Sequence, residues 1–398
     1  MELRDVEIWD GERSLGPGTV TWRDGRIERV VGGAAGARQA PALAVLPGLI
    51  DSHVHMVADA GRAADPGRAW PLVTAWTEQM LHAAGQGLRA LANGVTTVRD
   101  LGAFEPPVAL RRAIDQGAIA GPHVVAFGHV GMTAGHGDLI WPSDVTVRPE
   151  TADGADACRR LVRRYARMGV DGIKIFTSGG VMSTGDRSEW RNQTPEEIAA
   201  TVDEAHALGL HVAAHAHTPE GIQSALDGGV DSLEHATRIA PDQAAQARQQ
   251  GVFICPTLLA LRRIAAGGPD LPEESVEKAR RLAAERGDAM REAADAGVLF
   301  VMGTDGGGGR LPFGSQYDEM RAMVEELGLS AEAALVAATS RAARVVGLEH
   351  KTGRIASGLD ADLLIVRGRP WRDLSSFGPD SIVAVVARGE VVAGALPA

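Results

Sequence analysis

The spacing of apolar residues changes character twice along the chain. In the first 45 residues they fall in short runs bounded by turn residues: Val6-Glu7-Ile8-Trp9 leads into Asp10-Gly11, and Gly18-Thr19-Val20-Thr21-Trp22 into Asp24-Gly25. Asp-Gly between alternating apolar residues is a strong hairpin signal, because both residues tolerate positive φ. The last 45 residues read alike, with Asp362–Val366, Ile382–Ala387 and Gly389–Val392 as strand-like runs. Two strand-only ends around a longer middle are expected to pair into one small β-domain.

The middle alternates apolar runs with helical stretches. Eight runs end near His55, Asp100, Gly128, Thr177, His217, His235, Thr257 and Asp305. Helical segments separate most of them. Thr194 before Pro195 predicts a helix from Pro195 to Ala207, with the hydroxyl as N-cap and proline at the first helical position. A second helix is expected from Pro272 to Ala296, which is rich in Ala, Glu and Arg. Eight strands alternating with helices predict a (β/α)8 TIM barrel, which places its chemistry at the C-terminal strand ends. A doubly wound sheet is the alternative.

Bulk properties narrow the function classes. The 398 residues are 45% hydrophobic and carry a formal net charge of −11, which argues against nucleic acid or an anionic membrane as partner. Cys158 and Cys255, about 100 positions apart, give neither a disulfide framework nor a Cys-x-x-Cys metal site. No apolar run reaches the ~18 residues of a membrane span. The N-terminus alternates charged and apolar residues, so no secretory segment is read there. The expectation is a cytoplasmic protein acting on a small molecule.

The strand ends carry a distinctive set of side chains: His53 and His55 on the first, Lys174 on the fourth, His215 and His217 on the fifth, His235 on the sixth and Asp305 on the eighth. Residues i and i+2 of a strand share a face, so His53-Val54-His55 is half of a metal site. Imidazole and carboxylate suit Zn²⁺ without any thiolate. Lys174 is the odd member, since an ammonium is repelled by a metal and has no lone pair. A lysine carboxylated by CO₂ becomes an anionic group with two oxygens, able to bridge two ions spaced ~3.5–4 Å apart. Taken singly, each residue has a plainer reading: an incidental His-x-His, a strand-end surface lysine, a Gly-Thr-Asp turn, a core histidine. Their joint placement at strand ends, in barrel order, favours the site.

The same segments resemble the amidohydrolase superfamily, in its branch of imidazolonepropionase-related and Xaa-Pro-type metal-dependent dipeptidases and amidases. The matching pieces are Leu46–His55, Gly94–Asp100, Asp171–Ile175 with Ser178-Gly179-Gly180, Asp203–His206, Ala214–His217, Gly229–His235, Gly303–Asp305 and Thr352–Leu363. The resemblance implies a β-sandwich appendage from residues 1–46 and 347–398 around a barrel of residues 47–346. It also implies His53, His55 and Asp305 on an α ion, His215 and His235 on a β ion, and carboxylated Lys174 bridging two divalent ions, most readily Zn²⁺.

The implied reaction is hydrolysis of an amide bond in a dipeptide or N-acyl amino acid by a metal-bridging hydroxide, with Asp305 as general acid and base. His136, flanked by glycines in Thr133–Asp138, is the best oxyanion donor. His217 stands where related dipeptidases often have a carbonyl-polarising tyrosine. Arg187, Arg191 and Arg310 are candidates for a substrate carboxylate, and Trp141 and Trp190 for an apolar pocket wall. His206 and His211 read as structural. Two rivals are a one-metal deaminase or cyclic-imide hydrolase on the same fold, and a non-catalytic scaffold. Many relatives assemble, so a homo-oligomer is expected.

Overall fold

The computed structural model describes residues 1–33, 43–57, 74–103, 105–139, 141, 143–144, 148–269, 271–307 and 311–397. These residues form fifteen strands, of which those in the middle of the chain alternate with helices. The first four are β1 (Glu2–Trp9), β2 (Ser14–Arg23), β3 (Arg26–Val31) and β4 (Leu43–Pro47). The middle contains β5 (Leu49–Val54), β6 (Val95–Ala103), β7 (His123–His129), β8 (Gly172–Phe176), β9 (His211–Ala216), β10 (Ser232–His235), β11 (Phe253–Cys255) and β12 (Leu299–Phe300). The chain ends with β13 (Leu363–Arg367), β14 (Ile382–Ala387) and β15 (Glu390–Gly394).

Strands β5 to β12 form one sheet in sequential order, each parallel to the next. Beyond the short β12 the chain returns to β5. Ser52 N–H donates to the Met302 carbonyl (3.0 Å), Asp305 N–H to that of His53 (2.8 Å) and His55 N–H to that of Gly306 (2.8 Å). These bonds bring the first and last strands together as the (β/α)8 barrel requires. Its interior below the C-terminal rim is filled by Leu101, Val125, Phe127, Ala213, Cys255 and Val301, all buried. It is therefore a packed core with a site at one mouth.

The terminal strands form a second sheet in the order β15-β14-β13-β4-β1-β2-β3. β4 joins the two chain ends, pairing parallel with β1 and antiparallel with β13. Apolar residues of both arms, among them Ile8, Trp22, Val45, Ile365 and Val386, share one core. The Asp24-Gly25 turn is a two-residue hairpin with φ of 50° and 80°, as a type I′ turn demands. At Asp10-Gly11 the connection is wider, because the Asp10 carboxylate accepts the N–H groups of Glu12 and Arg13, both at 2.9 Å.

The sheet is latched to the N-terminal end of the barrel through His123. Its Nε2 lies 3.0 Å from Asp362, which also accepts the Thr352 hydroxyl (2.7 Å) and the Arg388 N–H (2.8 Å), while the Arg388 guanidinium approaches His123 Nδ1 (3.1 Å). A guanidinium only donates, so Nδ1 accepts and Nε2 carries the hydrogen. No imidazole lone pair is left for an ion, although Asp360 is also close.

Thr194 caps its helix as expected: its hydroxyl accepts Glu197 N–H and the Glu197 carboxylate accepts Thr194 N–H. The segment expected as one helix from Pro272 to Ala296 is instead two, Glu273–Arg286 and Ala289–Asp295. Gly287, at φ 49°, takes a left-handed conformation that an α-helix cannot continue through. No helix among the described residues is long and apolar enough to cross a membrane.

Candidate metal centre and active site

The C-terminal ends of the strands bring the expected residues together. His53 and His55 stand with ring centroids 5.4 Å apart, and Asp305 Oδ1 lies 3.6 Å from His53 Nε2 and 3.2 Å from His55 Nε2. His215, His217 and His235 form a second group, with all pairwise ring-centroid distances at 4.7 Å. His53 and His235 connect the groups at 5.2 Å. His235, Thr257 and Asp305 adopt positive φ of 69°, 46° and 57°. Left-handed backbone at non-glycine residues is costly and is tolerated where a site needs a particular side-chain direction.

In four of these histidines one ring nitrogen has a hydrogen-bond partner. His53 Nδ1 meets Glu234 (2.9 Å), His235 Nδ1 meets the Thr257 hydroxyl (2.7 Å), His217 Nδ1 meets the Thr237 hydroxyl (2.8 Å), and His215 Nε2 meets the Gly179 carbonyl (3.2 Å). For His53, His215 and His235 such contacts are of the kind by which proteins orient imidazoles toward an ion. Burial above all disfavours their charged forms. It pulls His53 down to about 4 and His217 to about 3, and takes His215 and His235 well below the ordinary histidine range. Neutral imidazoles have the lone pairs that a metal needs.

Lys174 is the middle residue of β8 rather than its last, 2% exposed, and its Nζ has no hydrogen-bond partner. A buried amine without a partner is rare. Burial, opposed by Glu234 and Asp305, lowers it to about 8. That enlarges the neutral fraction, the form that reacts with CO₂. The donor chemistry therefore fits two ions and a carboxylated lysine. The Cys255 thiol also lies close to His53 and Glu234. Burial pushes it well above the ordinary thiol range, so it contributes packing rather than a thiolate.

His136 stacks on His215, with centroids 4.3 Å apart and planes within 17°. Its Nδ1 contacts Asp186 at 2.8 Å, and its N–H donates to Asn192 Oδ1 at 2.6 Å. A Cβ on Gly180 would fall 2.1 Å from the His136 ring, so the Gly179-Gly180 segment is what admits the imidazole. The turn carrying Asp186 is held from outside. The buried Lys278 amine donates to the carbonyls of Ser183 (2.7 Å) and Asp186 (2.8 Å), and Val181 packs with Leu261, Ile264 and Leu282.

Arg191 pairs with Ser178 in an antiparallel bridge beside the segment that carries Gly179. Arg187 and Arg191 are exposed, and the Arg187 guanidinium lies 5.8 Å from the exposed Trp190 ring. Arg310 lies outside the described residues. Trp141 is half-buried; His206 pairs with Asp231 at 2.9 Å, and His211 opens β9 at its end remote from the site. Sequence reasoning missed His129, which follows the apolar run of β7, sits opposite Lys174 in register and is pulled down to about 3 by burial. It also missed Asp186, Arg99 and Glu234. A buried arginine and glutamate inside apolar strands were the available signals for the last two.

Comparison with known proteins agrees with this geometry. The amidohydrolase family model matches residues 44–392, and the chain belongs to that family. Ochratoxinase of Aspergillus niger is 31% identical over 373 residues, which cover 87% of this chain and 74% of that protein. A Xaa-Pro dipeptidase crystallised with methionine in its active site superimposes with a TM-score of 0.86 at 29% identity, over 98% of both chains. A prolidase in complex with N-methylphosphonate-L-proline gives the same score, identity and coverage. The barrel with its terminal sheet is the architecture of these structures.

Proposed function

We propose that this protein is a two-metal hydrolase that cleaves the amide bond of a dipeptide or N-acyl amino acid. The observation that carries the reading is Lys174: a partnerless buried amine within electrostatic reach of both histidine groups and Asp305. Relatives named as ochratoxinase, Xaa-Pro dipeptidase and prolidase support an amide substrate joined to an amino acid.

His53, His55 and Asp305 would hold one divalent ion, and His215 and His235 the other, with carboxylated Lys174 between them. All-N/O donors favour Zn²⁺. Bound there, the ions supply Lewis acidity toward the carbonyl and make water nucleophilic near neutral pH.

The chain's own groups do the remaining work. Asp305 is held low, as burial is outweighed by His55, His53 and Lys174. It is therefore a carboxylate that takes the proton of the attacking water and returns it to the leaving amine nitrogen. Two imidazoles address the substrate carbonyl oxygen. Thr237 can donate to His217 Nδ1, which leaves His217 Nε2–H as a neutral donor. Asp186 only accepts, so it takes the hydrogen of His136 Nδ1 and fixes this second ring, which stacks on His215. Donors aimed at the developing oxyanion are worth several kcal/mol, on the order of 10²–10³ in kcat. At the rim, Arg187 and Arg191 are offered for the substrate carboxylate.

The test is a screen of dipeptides and N-acyl amino acids in zinc and bicarbonate. Turnover of at least one such amide is expected. Release of ammonia from purines or pyrimidines, or opening of cyclic imides, with no amide turnover, would instead establish the one-metal rival.

A further inference from the structure

The barrel interior below the site contains a charge pair that the proposed chemistry does not use. Arg99 on β6 is 1% exposed and Glu234 on β10 is 0% exposed. Arg99 donates to the Ser52 carbonyl (2.6 Å), to the Ser232 hydroxyl (3.0 Å) and to Glu234 Oε1 (2.8 Å). The Ser232 hydroxyl donates to the same Oε1 at 2.7 Å. The second oxygen, Oε2, lies 2.9 Å from His53 Nδ1. The carboxylate is thus divided: one oxygen saturated by two donors, the other reserved for the imidazole.

We propose that Arg99 and Ser232 hold Glu234 as the orienting partner of His53, fixing its hydrogen on Nδ1 and its lone pair on Nε2, toward Asp305. Glu234 and Arg99 are then positioning residues for one ion rather than a spare ligand and a core ion pair. A carboxylate deprived of Arg99 would sit uncompensated beside the ions, free to turn toward them; the guanidinium fork prevents that. The inference rests on the two-ion reading above.

The isosteric variant Glu234→Gln isolates the effect. Arg99 and Ser232 need an acceptor, so the amide oxygen takes their side and the NH₂ faces His53. Nδ1 must then accept, and the hydrogen moves to Nε2, where it blocks the lone pair. The experiment is a chelator-competition titration of metal-free wild-type and variant protein with zinc, with circular dichroism to confirm folding.

Wild type is expected to bind two ions. In E234Q one ion should weaken by about 10–100-fold, the range for lost orienting partners, while the other stays within about threefold of wild type. If E234Q does not fold, Ser232→Ala and Arg99→Lys give the same reading with carboxylate and imidazole intact, the expected loss again falling on one ion. Folded variants with wild-type affinity for both ions, or with both weakened equally, overturn the positioning role alone. A wild-type chain that binds no zinc overturns this role and the metal reading together.

Discussion

His136 Nδ1 lies 2.8 Å from an oxygen of Asp186, and that contact holds the imidazole in its stack on His215. Replacing Asp186 by alanine removes the group that orients this ring. A fall in kcat of about 10²-fold is expected, with zinc content unchanged, measured by steady-state kinetics and elemental analysis on the same sample. Unchanged kcat would remove His136 from the oxyanion role.

Gly180→Ala tests the same ring sterically. The added Cβ would fall 2.1 Å from it, so His136 must move away from the stack with His215. Misplacing a reacting group by about 1 Å can cost roughly 10²-fold in rate. The expected result is a kcat loss comparable to that of Asp186→Ala, and no further loss when the two are combined. Additive losses would show that the two changes act on different things.

Asp305→Asn keeps the shape and removes the base. The fold should persist, because the bonds that place this segment are made elsewhere. Thr304 donates through both N–H and hydroxyl to Asp51, at 2.9 and 2.7 Å. Turnover should fall by about 10²–10⁴-fold while the circular dichroism spectrum matches wild type. A variant with wild-type turnover would exclude Asp305 as proton carrier.

The metal-free protein should lose stability in acid. An unfolded histidine titrates near 6.5, whereas buried His53 does so near 4 and His217 and His129 near 3. Between these limits the unfolded chain binds more protons than the folded one, so stability falls as pH falls. It is fully present above about pH 6.5 and declines toward pH 4. A histidine that is protonated in the unfolded chain and neutral in the folded one costs about 1.4 kcal/mol for every pH step below 6.5. For a chain of this size the melting temperature should therefore drop by several degrees from pH 7 to pH 5. Thermal melts of metal-free protein across that range give the slope; a flat profile would mean that these imidazoles are not buried in neutral form.

Much of this molecule is legible in its sequence because barrels impose strong regularities. Each parallel strand, buried on both faces, reads as an apolar run, and the polar side chains within or just beyond its C-terminal part lie near the mouth. That is why His53, Lys174, His215, His235 and Asp305 can be grouped from the chain alone. Asp186 cannot, since it reaches His136 from a turn whose path depends on Lys278 and on packing against Leu261 and Ile264. His129 escapes by a single residue at the strand end. The break at Gly287 escapes because an isolated glycine in a charged helical pattern is often tolerated. The rim arginines follow from loop position alone, which carries no information on side-chain direction.

The central claim is a two-ion centre bridged by a carboxylated lysine, and elemental analysis of Lys174→Ala beside wild type, both purified with zinc and bicarbonate, tests it most directly. About two zinc ions are expected per wild-type chain. Fewer are expected in the variant, with turnover lost and partly restored by a short carboxylic acid. One ion per wild-type chain, or a variant that keeps full metal content and activity, would contradict it.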